Sequence, residues 1–291
     1  MLYTIQNDQV RVTVDSLGAQ MQSITAADGT EYLWYGDEAY WRSRATNLFP
    51  YVGRPTDGKI THNGKAYDMT QHGFAKRMEF TAVEQGTDRL VLRLTDNDET
   101  RVIYPFLFAF DLMYELKGAT VQITYRVENR SNERMYFGLG GHPGFRLPLE
   151  EGKCFTDYQI TFAKPCYPAR AELSPAYQMS GVETPYALEE NRTLYLRHDL
   201  FDHDAIILHH MDKTMTLSAG EGSRGVTMHI PNMNYLGIWH TPETEAPFVC
   251  LEPWVSLPSR DGVVEDFSQQ GDLVGLNVGE TYHNTWSITI F

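Results

Sequence analysis

Segments in which apolar and polar residues alternate occur along most of the chain. They are clearest at residues 89–95 and 120–128, where β-branched and other apolar residues alternate with polar ones. A period of two places successive side chains on opposite faces of a strand, so each segment is predicted to be a strand with one buried face. The other predicted strands show this alternation or are short apolar runs, and they span residues 2–15 (two strands around Asn7-Asp8), 16–25, 80–84, 106–115, 193–197, 205–209, 214–218, 226–230, 235–239, 248–251 and 285–291.

Turn sequences separate these strands at intervals of about 8–12 residues, which is typical of antiparallel sandwiches. Asn63-Gly64 is the strongest hairpin signal, and Asp57-Gly58 precedes the same short strand. Residues 263–270 carry the best, weak, helical pattern, and the proline-containing residues 150–190 are expected to form an excursion. The sequence therefore predicts an all-β protein, a large antiparallel β-sandwich in which residues 1–291 form one domain.

The composition supports a folded protein and excludes some classes of binding partner. The chain has 291 residues, of which 42% are apolar and 21% charged, so a sizeable core is expected. A net charge of −14 argues against binding to nucleic acid and to anionic membrane surfaces. We find no signal peptide and no apolar run near the about 20 residues that span a bilayer. Three cysteines without CxxC spacing fit reduced thiols, so a cytoplasmic monomer or homodimer is expected.

The segment Gly140-Gly141-His142-Pro143-Gly144-Phe145-Arg146 is the first candidate for chemistry. A strand is expected to lead into it and a turn to follow it. Two glycines free the backbone, and Pro143 restricts His142 to an extended conformation. An imidazole fixed in this way suits a group that directs a proton donor at a small ligand. The alternative interpretation, a histidine that merely lies in a tight turn, is equally compatible with the pattern.

The segment Cys250-Leu251-Glu252-Pro253-Trp254 is the second candidate. A carboxylate within an apolar run is desolvated, which raises its pKa towards that of a useful general base. A salt-bridged glutamate at a sheet edge is the alternative for Glu252. Cys250 has no evident cationic neighbour, so it is interpreted as a buried small residue rather than a nucleophile.

Other motifs are weaker. Residues 220–225 match GxGxxG, but a predicted strand follows instead of a helix, so a hairpin turn is expected and no dinucleotide cofactor. Ten histidines include no His-x-His or His-Glu-x-x-His pattern, so no metal site and no cofactor are expected. Four aromatic residues in residues 34–41 are interpreted as the edge of the core or as a sugar-stacking rim.

Five segments together resemble the aldose 1-epimerase (mutarotase) family, in the family's order and over most of the chain. The similarity is greatest to the bacterial branch often found beside lactose or galactose genes. The galactose mutarotases that define the family have an Asn-Arg pair where this chain has residues 55–58, which leaves the sugar open. The five segments are Phe49-Pro50-Tyr51-Val52-Gly53-Arg54, Gln71-His72-Gly73-Phe74-Ala75, Gly141-His142-Pro143-Gly144-Phe145, Asp204-Ala205 and Leu251-Glu252-Pro253-Trp254.

The resemblance implies a large antiparallel β-sandwich and a role for each matched residue. His142 matches the family's general acid and Glu252 its general base, while Arg54, His72 and Asp204 match sugar-binding positions. Glu252 would accept the proton of the C1 hydroxyl, and a positively charged His142 would protonate the ring oxygen from the opposite side of the reacting centre. Acidic neighbours are expected to keep His142 charged.

The expected function is therefore α/β anomer exchange of a free hexose. Three alternatives stay open: a hexose-6-phosphate 1-epimerase, which needs a cationic pocket; a glycosidase using Glu252 with a residue such as Asp204; and a non-catalytic carbohydrate-binding protein. The partner in every case is a small-molecule sugar.

Overall fold

Two large antiparallel sheets dominate the computed structural model, which describes residues 1–291. The nine-stranded sheet consists, in spatial order, of β16 (Thr193–Tyr195), β13 (Gln159–Phe162), β18 (Thr214–Ser218), β19 (Gly225–His229), β23 (Thr281–Ile290), β10 (Thr120–Asn129), β9 (Phe108–Lys117), β8 (Arg89–Thr95) and β7 (Thr81–Gln85). The seven-stranded sheet consists of β15 (Met179–Pro185), β14 (Ala169–Leu173), β17 (Ile206–His209), β20 (Tyr235–Trp239), β21 (Phe248–Trp254), β12 (Gly140–Arg146) and β4 (Ala45–Leu48).

Smaller elements complete the architecture. A three-stranded sheet contains β1 (Leu2–Gln6), β2 (Val10–Asp15) and β3 (Gln20–Ala26). Two further antiparallel pairs join β5 (Lys59–His62) to β6 (Lys65–Asp68) and β11 (Met135–Phe137) to β22 (Val274–Leu276). The single α-helix is α1 (Asp98–Ile103), and short 3₁₀ turns span Thr56–Gly58, Ala75–Arg77, Phe155–Asp157 and His198–Phe201. None of the helices is long and apolar enough to cross a membrane.

The alternation along the sequence explains the nine-stranded sheet. In β10, Val121, Ile123, Tyr125 and Val127 are buried, and the residues between them are partly exposed. These side chains belong to a hydrophobic core of 66 buried residues that includes members of both large sheets. The all-β sandwich expected from the sequence is confirmed.

The strand β21 differs from β10 because all seven of its residues are buried. It lies between β20 and β12, so its backbone groups are paired on both edges. A polar side chain on such a strand is removed from water wherever it points. Glu252, only 1% exposed, is in this position.

Three expectations about local structure are wrong. Residues Gly140–Arg146 are themselves a strand, whereas the strand was expected only to lead into them; the expected change of direction comes after Arg146, where bends follow at residues 147–150. Residues 150–190 are not an excursion, since they contribute β13 to one large sheet and β14 and β15 to the other. Residues 263–270 contain no helix: residues 267–269 form a turn, which the Asp266 carboxylate caps by accepting hydrogen bonds from the Ser268 N–H and hydroxyl.

Candidate active site

His142 and Glu252 lie across from each other on neighbouring strands. In the β12–β21 pair, Gly140 is opposite Trp254 and Gly144 is opposite Cys250, which places His142 opposite Glu252 between them. The His142 Nε2 and Glu252 Oε2 atoms are 3.2 Å apart. The two groups are in contact, yet Glu252 Oε2 has no aligned hydrogen-bond partner. When Glu252 is ionised, this oxygen is free to accept a proton from a ligand.

The expectation that the two groups lie on opposite sides of the reacting centre is wrong, because they touch. Both oxygens that exchange protons in a hemiacetal are bonded to the same carbon, C1. Two groups in contact can therefore serve both oxygens from one side.

The absence of a side chain at Gly141 lets the backbone beside His142 pack closely against the core. A Cβ atom at position 141 would lie 2.6 Å from Trp286 Cζ2 and 3.1 Å from the Tyr125 hydroxyl oxygen. The residue is glycine because of this lack of space, rather than because the backbone needs conformational freedom. The backbone amide next to His142 is thus held against the indole of β23.

Burial controls the charge of the pair. Burial and the nearby Lys76 ammonium lower the pKa of His142 to about 3, and burial together with the Asp204 carboxylate raises the pKa of Glu252 well above its usual range. The expectation that acidic neighbours keep His142 charged is therefore wrong. Burial therefore favours the uncharged form of the pair, with the shared proton on Glu252.

His72 presents a neutral imidazole to the same cavity. The Gly53 N–H donates a hydrogen bond of 3.1 Å to His72 Nδ1, which leaves the ring proton on Nε2. Burial, with the neighbouring His142, lowers the pKa of His72 well below its usual range. The ring lies edge-on to that of His142, with centroids 5.5 Å apart. The His72 Nε2 atom lies 3.3 Å from the Gln71 side-chain amide at the cavity wall, and its proton is the one that His72 can donate to a hydroxyl.

Asp204 and Arg54 complete the set of predicted site residues. The Asp204 Oδ1 accepts a hydrogen bond of 2.7 Å from the Ala205 N–H, and burial raises the pKa of its carboxyl group despite the nearby Arg54. The Arg54 guanidinium is exposed and lies 5.0 Å above the ring of Tyr177. All five predicted site residues line one cavity of about 300 Å³. This volume lies at the lower end of small-molecule pockets, which are about 300–1,000 Å³.

Aromatic side chains form part of the cavity wall. Trp41 stacks on His142 with ring centroids 4.7 Å apart and an interplanar angle of 24°, and Trp239 and Trp254 line the cavity as well. The aromatic stretch of residues 34–41 therefore divides: Trp34 is buried in the core, whereas Trp41 faces the cavity. The interpretation as core is therefore confirmed for Trp34, and stacking on a sugar stays a prediction for Trp41.

Sequence reasoning missed Lys76 as a cavity residue. Lys76 lies in the 3₁₀ turn Ala75–Arg77, four residues after His72, and lines the cavity. Its position directly after the Gln71–Ala75 segment was the available signal. Gln71, Ser43 and Tyr177 also line the cavity and carried no signal of their own.

Comparisons with known proteins identify the family of the chain. The family model for aldose 1-epimerase matches residues 1–266. The chromosomal LacX protein of Lactococcus lactis subsp. lactis is 29% identical, over 100% of this chain and 99% of LacX. A galactose mutarotase related enzyme from Lactobacillus acidophilus superposes with a TM-score of 0.96 at 29% identity, covering 100% of this chain and 97% of that one. A galactose mutarotase-like protein from Lactobacillus casei ATCC 334 gives a TM-score of 0.93 at 28% identity over 100% of both chains.

Proposed function

Since the chain belongs to the aldose 1-epimerase family, we propose that it interconverts the α and β anomers of a free hexose by acid–base ring opening. The observation that supports this most is the contact between His142 and Glu252 at the cavity. The two side chains bring one transferable proton and one proton acceptor to a buried site. Anomer exchange needs these two groups and no other chemistry.

The proposed cycle begins with the ion-pair form of the two residues. The Glu252 carboxylate accepts the proton of the C1 hydroxyl while the His142 imidazolium protonates the ring oxygen. The bond between C1 and the ring oxygen breaks as C1 becomes a carbonyl carbon. Rotation about C1–C2 exposes the other carbonyl face, and the reverse transfers close the ring as the other anomer.

Burial favours the protonation state that the two residues reach when the ring opens. Ring opening converts the ion pair into a protonated Glu252 and a neutral His142, which is the uncharged form that burial favours. The ion pair and the uncharged pair contain the same number of protons. The cavity therefore stabilises the protonation state that accompanies the open-chain aldehyde, and no proton needs to enter from solvent.

The remaining cavity residues are assigned to binding. The His72 Nε2–H and the Arg54 guanidinium donate hydrogen bonds to sugar hydroxyls, and Asp204 accepts one. Trp41, Trp239 and Trp254 offer apolar faces to the C–H side of a pyranose. None of these groups needs to change its protonation state during the cycle.

Exchange NMR on anomerically pure glucose and galactose tests the proposal. The wild-type protein should accelerate exchange above the solvent rate, and His142→Ala and Glu252→Gln should each lower this acceleration by about 10²–10⁴-fold. His62→Ala is a matched control, because His62 is 5% exposed against 8% for His142 but does not line the cavity. Sugar binding without acceleration by the wild-type protein contradicts the proposal and favours a binding protein. Release of a reducing sugar from a glycoside favours a glycosidase.

A hexose that carries an anionic group, such as a hexose 6-phosphate, is the second candidate substrate. Two cationic side chains, Lys76 and Arg54, line the cavity. Burial and the neighbouring Arg77 lower the pKa of Lys76 to about 8, and no carboxylate offsets them. A ligand phosphate would supply the missing negative charge.

A comparison of glucose with glucose 6-phosphate separates the two substrate classes. If the substrate is anionic, glucose 6-phosphate exchanges at least about tenfold faster, and Lys76→Met removes this preference because a charge-assisted contact is lost. If the substrate is a free hexose, glucose is preferred and Lys76→Met retains that preference. Lys65→Met, at an exposed lysine outside the cavity, is the control.

A further inference from the structure

Cys250 is a third potential ligand atom beside the His142–Glu252 pair. A ring nitrogen of His142, the Cys250 Sγ and a carboxylate oxygen of Glu252 all lie within 4.8 Å of one another. Cys250 and Glu252 are two residues apart on β21, so both side chains point to the same face of the sheet. Gly144, opposite Cys250, has no side chain to separate the thiol from this face.

The spacing of these atoms suits tetrahedral coordination. Nitrogen and oxygen ligands at about 2.0–2.1 Å from a tetrahedral zinc ion are about 3.3 Å apart. The His142 Nε2 and Glu252 Oε2 atoms are 3.2 Å apart. A thiolate at about 2.3 Å from the same ion would lie about 3.5 Å from either ligand. The Cys250 Sγ atom lies at most 4.8 Å from the other two ligand atoms. It therefore has to approach them by about 1.3 Å or less, which a rotation of the side chain allows.

An unpaired buried oxygen and the balance of charge also support a bound cation at this position. Cys250, Glu252 and His142 are 0%, 1% and 8% exposed, and Glu252 Oε2, the proposed oxygen ligand, lacks a hydrogen-bond partner. A dication bound by one thiolate, one carboxylate and one neutral imidazole forms a group with no net charge. Such a group avoids the cost of an uncompensated charge in a buried site.

We propose that a thiophilic divalent cation of the zinc class binds His142, Cys250 and Glu252 and thereby inhibits the protein. The fourth ligand is a water molecule or a hydroxyl group from the cavity. Binding displaces the protons of the Cys250 thiol and the Glu252 carboxyl group, so up to two protons are released for each ion bound. With the metal present, Glu252 cannot accept a proton and His142 cannot donate one. The inhibition rests on the proposed function, whereas the binding site does not.

Softer ligands make the site selective. A thiolate and an imidazole favour zinc over magnesium, which requires oxygen ligands. The Lys76 ammonium lies near His142 and opposes any cation here. The ion is therefore expected to be removable by a chelator, in contrast to a permanent structural zinc.

Zinc titration by calorimetry tests the site in a tag-free Cys154→Ala/Cys166→Ala protein, in which Cys250 is the only thiol. We expect one zinc ion per chain, no magnesium binding, and inhibition of glucose anomer exchange that a chelator reverses. Adding Cys250→Ala should weaken zinc binding by about tenfold or more, since even loss of an outer partner of a metal ligand costs about 10–100-fold. Anomer exchange should persist in that variant, because Cys250 does not line the cavity. Unchanged zinc affinity after loss of Cys250 overturns the proposal.

Cobalt provides a readout that does not require the Cys250→Ala variant to fold. Co²⁺ added to the Cys154→Ala/Cys166→Ala protein should give the near-ultraviolet thiolate-to-cobalt absorption, and its absence overturns the assignment of Cys250 as a ligand. If this absorption appears but the protein exchanges no anomers of any sugar, the metal site stands and the proposed function fails. If anomers exchange but neither ion binds, the metal site fails and the proposed function stands.

Discussion

His142 on β12 and Glu252 on β21 are directly opposite each other, with their nearest nitrogen and oxygen atoms 3.2 Å apart. A buried acid and base in contact behave as one titrating unit rather than as two independent groups. At pH values between the pKa of His142 and that of Glu252, the unit holds one transferable proton. Several consequences of this relationship can be measured.

The first prediction concerns the pH dependence of kcat/KM for anomer exchange. Because burial lowers the pKa of His142 from 6.5 to about 3 and raises that of Glu252 well above 4.5, the one-proton state extends down to about pH 3. We therefore expect kcat/KM to vary little as the pH falls from 5 to about 4. A tenfold fall per pH unit below 4.5 would instead indicate a carboxyl group that titrates independently and would contradict the account.

The second prediction concerns stability and His240. Burial lowers the pKa of His240 from 6.5 to about 4, so between these values the unfolded chain binds a proton that the folded chain does not. The free energy of unfolding should therefore decrease as the pH falls from 6.5 to 4. His240→Gln should reduce this slope by up to about 1.4 kcal/mol per pH unit in urea unfolding. His283→Gln, at an exposed histidine, should leave the slope unchanged, and equal slopes in wild type and His240→Gln refute the prediction.

The third prediction concerns the lack of space at Gly141. Gly141→Ala places a methyl group 2.6 Å from Trp286 and should lower the free energy of unfolding by about 1–3 kcal/mol. Anomer exchange should fall as well, because the backbone next to His142 shifts. Gly271→Ala is the matched control, since no atom lies within 4 Å of the added Cβ. Equal unfolding free energies for the two variants would contradict the prediction.

The fourth prediction concerns Trp41, which holds His142 by ring stacking. Loss of an aromatic pair costs about 0.5–1.5 kcal/mol, so Trp41→Ala should lower kcat/KM by up to about tenfold. Trp41→Phe keeps a ring and should lower it less. Tyr35→Ala, at an exposed aromatic residue outside the cavity, should have no effect. A Trp41→Ala variant as active as wild type would show that the stacking does not position His142.

The sequence predicted where strands lie along the chain better than it predicted which strands pair with each other. The alternation in β10 depends on local pattern alone and was read directly, as was the Asn63-Gly64 turn between β5 and β6. The pairing of β12 with β21 brings together residues that are far apart in the chain, and no local signal encodes it. The resemblance linked His142 and Glu252, and the structure supplies their distance.

Charge and packing within the cavity could not be predicted. The expectation that His142 is charged failed because burial disfavours the charged ring, and because Lys76, which reaches the cavity from a 3₁₀ turn, opposes its charge. Cys250 was correctly interpreted as buried, but its place beside His142 and Glu252 depends on the strand register. The cavity's electrostatics therefore follow from tertiary contacts, to which a single sequence gives little access.

The central claim is that His142 and Glu252 act as one unit, and a double-mutant cycle tests it most directly. Exchange NMR gives the acceleration over the solvent rate for wild type, His142→Ala, Glu252→Gln and the double variant. Because neither group works without the other, we predict that each single substitution loses about as much as the double one. Losses that add in free energy, or a single variant that keeps the wild-type rate, would contradict the account.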